Sequence, residues 1–441
     1  MLSPEKPAAD STLSPQREAL TLAILAAVQF AAIVDFMIVM PLGPQLMAAF
    51  KLTPGQFGLI VSSYSFAAGF TGLIASSIMD RFSRRSAFIT LYAGFLCGTL
   101  WCGLAPTYAS LVAARILTGA FGGILGGMAM TIVGDVFPEH RRGQATGWLM
   151  SGFALASVAG VPLGLYFGTK FGWHVPFIAL VIGGLPALFL APYAMPPLTG
   201  HLGRKPAHPL QSLIENFSHA DHLNAFVLMI SLMASGFLVF PYLSTYLVAN
   251  VGLTNEELPW IYVVGGGLSL FASPVIGRLA DRFGKLRVFR VLAPLAGALL
   301  LAITHLPPVP VFVAVLTFGV LMVCNVGRMI AVTALVTGSI APHRRGGFLS
   351  ANSSVQHVAS GMAAYIGGAM ITQVDDGPLT GFGLVGWLAA GATVIAIALA
   401  GRIRTLESPA ENPSAAALSL AAAAEATADS GETLIAAAEE R

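Results

Sequence analysis

Charge is scarce in this chain: Asp, Glu, Lys and Arg together make up 10% of 441 residues, against roughly 25% in an average soluble domain. A surface that poor in charge excludes a water-soluble globule. Cysteine is scarcer still. Cys97, Cys102 and Cys324 all lie in apolar runs, without metal-ligand spacing, and read as small apolar fillers. Also missing are a phosphate-binding loop, an HExxH metal pair, a Ser and His pair in a suitable setting, and any sizeable polar domain. These gaps argue against an enzyme or receptor, and against an ATP-driven pump unless a separate subunit supplies the ATPase. The net charge of +2 comes with no basic patch of nucleic-acid type. No cofactor, metal or nucleic-acid partner is expected.

What the chain does have is apolar residues, 56% of the total. Crossing a hydrocarbon core takes about 20 residues of helix at 1.5 Å each. Twelve stretches qualify, near 20–43, 56–79, 86–105, 109–136, 144–168, 174–194, 222–248, 259–280, 287–306, 310–340, 347–372 and 382–403. The expected fold class is therefore an all-α polytopic membrane protein, with the lipid bilayer as its first partner. Met1 to Arg17 is polar and lacks a cleavage-site pattern, so the first span reads as retained.

Basic residues set the expected orientation. If the spans alternate, about nineteen of the 23 Lys and Arg fall on one side, Lys51 and Lys170 fall on the other, and Arg115 and Arg328 lie within spans. That places both termini in the cytoplasm and the chain in the plasma membrane, or the inner membrane of a bacterium. The one substantial internal loop, 195–221, separates residues 20–194 from 222–404, six spans each. A polar tail, 1–19, and an Ala-rich acidic tail, 405–441, flank them, and the latter reads as disordered or loosely helical.

The two halves echo each other. MDRFSRR at 79–85 returns as ADRFGKLR at 280–287, and PEHRRG at 138–143 returns as PHRRG at 342–346. Each pair follows the second or the fourth span of its half, which points to a duplicated six-helix unit. GRLADRFGKLR, 277–287, resembles the loop signature of the major facilitator superfamily through Gly277, Asp281, Arg282, Gly284, Lys285 and Arg287. In the first copy Ser76 and Ser83 replace the glycines, while Asp80, Arg81, Arg84 and Arg85 keep the charges. Arg115 with Gly119 in AARILTGAFGG resembles a second signature, in the fourth span. SGFALASVAGVPLG, 151–164, approximates the antiporter stretch of the fifth span, although Val161 separates Gly160 from Pro162. The likeness covers residues 20–404 and is nearest to the twelve-helix drug and sugar efflux branch.

That resemblance implies two pseudo-symmetric six-helix bundles working by alternating access, as a monomer, on a small organic molecule. It also implies that Asp80, Arg84 and Asp135 form a charge cluster steadying the outward-facing state; plain anchoring of helix ends is the alternative. In the fifth span Gly152, Gly160 and Gly164 share a face suited to close helix packing, and Pro162 bends the backbone.

Charges buried in the membrane carry more weight, because an unpaired one costs several kcal/mol. Asp35 is the acid well inside a span. It sits about 8 Å from the outer edge, and Arg115 about 9 Å, so a pair between the first and fourth spans is possible. Arginine favours the ionised carboxylate and loss of water favours the neutral one. Asp35 is thus the expected protonation site and Arg115 its modulator, with a static buried salt bridge as the alternative. Arg328 has no acid in its half of the membrane, so it pairs with backbone carbonyls or meets an anionic substrate. Gln29, Asn224, Tyr242, Tyr246, Asn325, Asn352, Gln356 and His357 are candidates for lining a cavity. A lone His such as His357 is more often a packing residue than a titrating one. The leading function is a proton-coupled antiporter exporting a drug, sugar or metabolite. The alternative is a proton-coupled symporter importing a small nutrient.

Overall fold

A computed structural model describes residues 14–79, 81–196, 198–199, 220–341, 345–373 and 377–403. Asp80, Arg344, most of the 195–221 loop and the tails 1–13 and 404–441 lie outside the described residues. Helices account for every span, and the only β pairing among the described residues is an isolated bridge between Thr372 and Thr380.

The spans are Pro15–Ile38, Pro54–Met79, Arg84–Gly103, Tyr108–Val136, Glu139–Phe171 and Val175–Ala194 in the first half. In the second they are Ala220–Val251, Leu258–Phe283, Lys285–Thr304, Val311–Ser339, Arg345–Met370 and Phe382–Ala400. The first begins at Pro15 rather than near residue 20, because proline suits a first helical turn whose N–H would be unpaired anyway. It ends at Ile38 in a turn, and a short helix, Gly43–Phe50, follows with Pro44 in its own first turn.

Two spans are not continuous α-helices. The fifth contains a π-helical turn, Ala156–Gly160, one residue short of Pro162. The seventh breaks at Leu238 and Val239, restarts as Phe240–Tyr246 with Pro241 in the first turn, and closes in a second π turn, Leu247–Val251. Proline cannot donate to the carbonyl four residues back, which is why the expected single run from 222 to 248 is interrupted. GRLADRFGKLR, expected as a turn, is mostly helix. Its break is the single residue Gly284, at φ +95°, where an L side chain is strained.

Eleven of the described helices are long and apolar enough to cross a membrane. The eleventh span, Arg345–Met370, is not among them, since Ser350, Asn352, Ser353, Ser354, Gln356, His357 and Ser360 dilute it. It packs extensively against the second span of the other half, so much of its surface faces protein and not lipid.

Packing repeats with a shift of six. The first span contacts the fifth and sixth, the second the fourth, and the third the fourth and sixth. The seventh contacts the eleventh and twelfth, the eighth the tenth, and the ninth the tenth and twelfth. The halves meet through the second and eleventh spans and through the fifth and eighth.

The apolar core shows what this does to the molecule's shape. At one end a single cluster takes in residues of both halves, from Val34, Phe57 and Phe177 to Leu243, Leu258 and Phe382. At the other end are two separate clusters, one with Val28, Phe95 and Ile132 of the first half, one with Phe226, Phe289 and Val336 of the second. The halves are fused at one end and parted at the other. An open cavity of about 720 Å³ lies at the parted end, with Asp281, Lys285, Ile330, Thr333 and Thr337 on its wall.

Close helix contacts depend on missing side chains. A Cβ on Gly119 would collide with the Tyr64 backbone of the second span, and one on Gly160 with Val34 of the first. Gly152 and Gly164 also face the first span, against Ala26 and Ile38. Gly119→Leu is expected to cost on the order of 3 kcal/mol through overpacking. A thermal unfolding scan of the detergent-purified protein checks it, and an unchanged midpoint would show that the fourth span does not rely on this contact.

Candidate functional site

The charged site forms where the fused core gives way to the parted ones. Asp35 of the first span lies between Ala32, in the first half's own core, and Ile38, in the shared core. From the fourth span, Arg115 Nη1 donates to Asp35 Oδ2 at 2.8 Å and reaches the Asp35 carbonyl at 3.4 Å. From the third, the Thr99 hydroxyl donates to Asp35 Oδ1 at 3.1 Å. Neither charged side chain is more than 1% exposed. The Arg115 guanidinium also lies 4.4 Å over the Tyr64 ring of the second span, a cation–π contact, while its Nε has no partner. Four spans thus converge on one carboxylate. Pairing offsets part of the desolvation, and the leftover Nε–H shows that it does not offset all of it.

Beside the ion pair an aromatic group bridges the halves. Phe36, next to Asp35, has ring centroids 5.1 Å from Tyr64, 5.9 Å from Phe237 of the seventh span and 6.4 Å from His357 of the eleventh. These rings join the halves at the level where the cores separate.

In the second half Arg328 is buried at the same level, 1% exposed. Its Nε and Nη2 donate to Asn325 Oδ1 at 3.0 and 2.6 Å, and Nη1 reaches Thr393 Oγ1 at 3.5 Å. Side-chain oxygens hold it, not backbone carbonyls.

The remaining candidates scatter. Gln29 packs against Gly126 of the fourth span, and Gln356 and Asn224 are half-buried on theirs. Asn352 is buried with Oδ1 unpartnered. Tyr242 is fully buried near the fused end. Its hydroxyl donates to the Ala364 carbonyl from a slot between Gly58 of the first half and Gly368 of the second. Tyr246 donates to the Leu306 carbonyl at 3.0 Å and packs on Phe382.

At the parted end Arg84 is ion-paired with Asp135, joining the third and fourth spans; Asp80 lies outside the described residues. Arg81 is exposed, Arg85 half-buried, and Gly277 has open space around it, so no close approach demands a glycine there. Asp281 lines the open cavity and Arg282 lies over the Phe283 ring.

Thr99, Tyr64, Phe36, Phe237 and Thr393 carry no mark in the sequence, because single hydroxyls and rings are ordinary in spans. Glu18 is a further buried charge, at the start of the first span. It is 3% exposed, 2.9 Å from Arg141 of the fifth span, and has one oxygen without a partner. Pro15 followed by an acid within a turn is a helix-start signal that could have placed it inside the first span.

Residues 25–336 and 225–430 match the Major Facilitator Superfamily, and the chain belongs to that family. It is a multi-pass secondary transporter, not an enzyme. Curated relatives in Bacillus subtilis (strain 168) are similar along most of their length. The uncharacterized MFS-type transporter YceJ is 25% identical over 80% of this chain and 90% of its own, and YtbD is 23% identical over 79% and 86%. A crystal structure of a bacterial homolog of the human lysosomal transporter Spinster, in an inward-facing and unoccupied conformation, superposes with a TM-score of 0.65. It shares 15% identity and covers 89% of this chain, a likeness of fold.

The fused end is closed across the halves by one more polar contact. Lys170 Nζ of the fifth span lies 2.9 Å from Glu256 Oε1, just before the eighth, and Thr169 beside it accepts from Gln45 at 3.2 Å. Lys170→Glu is expected to loosen this end. In a background without the native cysteines, a Cys at Thr245, now 4% exposed, should react faster with an impermeant maleimide, and Glu256→Lys in the same chain should reverse the gain. Labelling unaffected by Lys170→Glu would show that the pair does not hold the end shut.

Proposed function

We propose that this transporter is a proton-coupled antiporter that exports a small organic molecule by alternating access, as a monomer, with Asp35 as the protonation site. The buried Asp35–Arg115 pair carries the reading. A carboxyl between an arginine that favours its charge and an apolar setting that disfavours it changes protonation when its surroundings change. It sits at the apex of the cleft, where a switch of the open end alters its access to water. Arg115 modulates it, and Thr99 and Tyr64 complete its shell.

The glycine face of the fifth span supports the export direction, since Gly152, Gly160 and Gly164 all pack on the first span, which carries Asp35. Tilting the fifth span would therefore reach the protonation site directly. With the basic residues on the cytoplasmic side, both termini are cytoplasmic and the parted end opens inward. Lys170 and Glu256 then close the outer end. Arg84 with Asp135 belongs to the cluster that steadies the opposite, outward-facing state.

Proteoliposomes with an imposed pH gradient test this with a panel of sugars, amino acids and organic ions. The wild type should move substrate against the proton flow. Asp35→Asn should reduce gradient-driven movement to that of empty liposomes while the protein stays folded and monodisperse. Full gradient-driven transport by Asp35→Asn would remove Asp35 from the coupling step, and movement with the proton flow would favour import by symport.

A further inference from the structure

Asp35, Arg115 and Arg328 share the level at which the core divides, and their charges do not cancel. Arg115 is neutralised by Asp35. Arg328 has around it the Asn325 amide oxygen and the Thr393 hydroxyl, both uncharged, and among the described residues no carboxylate lies within ion-pair distance. One positive charge is left over on a side chain that is 1% exposed, where an isolated ion is expensive to keep.

The guanidinium is also lopsidedly held. Asn325 takes the edge formed by Nε and Nη2, while Nη1 has only a hydroxyl 3.5 Å away. An arginine's free edge matches the two oxygens of a carboxylate or phosphate better than a point charge would. Beside it, Gly236 of the seventh span presents no side chain: a Cβ there would lie 3.9 Å from Nη2. The next residue, Phe237, reaches across the cleft to Phe36, and the span breaks immediately after, at Leu238 and Val239. Gly236 thus lies between the Arg328 guanidinium and the Phe240 ring, one residue before the bridging Phe237 and two before the break in the span.

We propose that Arg328 is the cargo-binding charge of this transporter and that the cargo is an organic anion, a carboxylate or phosphate ester on an apolar or aromatic body. This rests on the transporter reading above and adds the substrate class. The anionic head takes the free edge of Arg328 once the seventh span bends at its break. The body lies against Phe36, Phe237 and His357. Lipophilic cations are disfavoured, because the cleft's unbalanced charge repels them.

Ligand-induced shifts in unfolding temperature of the detergent-purified full chain test this with four probes: 2-naphthoate, 1-naphthyl phosphate, neutral 2-naphthylmethanol and tetraphenylphosphonium. The wild type should show a saturable rise with one or both anions, and the head group that gives the larger rise identifies carboxylate or phosphate. Arg328→Gln should weaken that response about tenfold or more, as expected for losing a hydrogen bond to a charged group; Arg328→Lys should retain part of it. A larger rise with the neutral or cationic probe, no rise with either anion, or an undiminished anion response in Arg328→Gln would overturn the proposal. Should Arg328→Gln fail to fold, the wild-type probe series decides alone. No gradient is present in this assay, so an anion response survives a failure of proton coupling, and a gradient-driven flux of another substrate survives a failure here.

Discussion

Hydrocarbon offers a polar group no partner, so every charge carried into the membrane must be answered from within the protein. Asp35 is answered by three spans at once, through Arg115, Thr99 and the ring of Tyr64 beneath the guanidinium. Positions of other elements follow from that demand. The first, third and fourth spans must converge at one depth, and Gly119 lets the second span come close enough to place Tyr64 under Arg115. Arg328 obeys the same constraint incompletely, and that incompleteness distinguishes the two halves of a duplicated molecule.

Depth organises the rest. Thr99, Arg115, Asp35, Arg328, Thr393 and His357 all fall between the shared apolar cluster and the two separate ones. Apolar packing glues the halves at one end and each half to itself at the other, so the level between is where a change of conformation alters surroundings most. The π turn in the fifth span meets Gly266 of the eighth, and Gly236, two residues before the break in the seventh, lies beside Arg328. The irregular helices thus lie at the contacts between halves or next to buried charge, where backbone adjustment has an effect.

Much of this was legible in residue order. Twelve apolar runs, the doubled basic motifs and the depths of Asp35 and Arg115 foretold a two-fold helical bundle with a charge pair in its first half. Less legible were the partners that lack charge. Thr99 and Thr393 resemble any span threonine, because a hydroxyl can satisfy itself on its own helix, as the Thr393 bond to the Ala389 carbonyl also does. Tyr242 reads as a polar residue facing a cavity, yet two glycines from different halves make a slot for it. No local pattern in the seventh span announces glycines in the second and eleventh.

Residue order by itself determined the number of spans, their order and the depths of Asp35 and Arg115, because hydropathy and helical rise are local properties and translate directly into position along the membrane normal. Rotation about each helix axis is not local: it depends on which neighbours offer a glycine to approach or an acceptor to reach. Only the tertiary structure could decide that Arg115 is spent on Asp35 while Arg328 is not, and that the halves are joined at the end bearing Lys170 and Glu256.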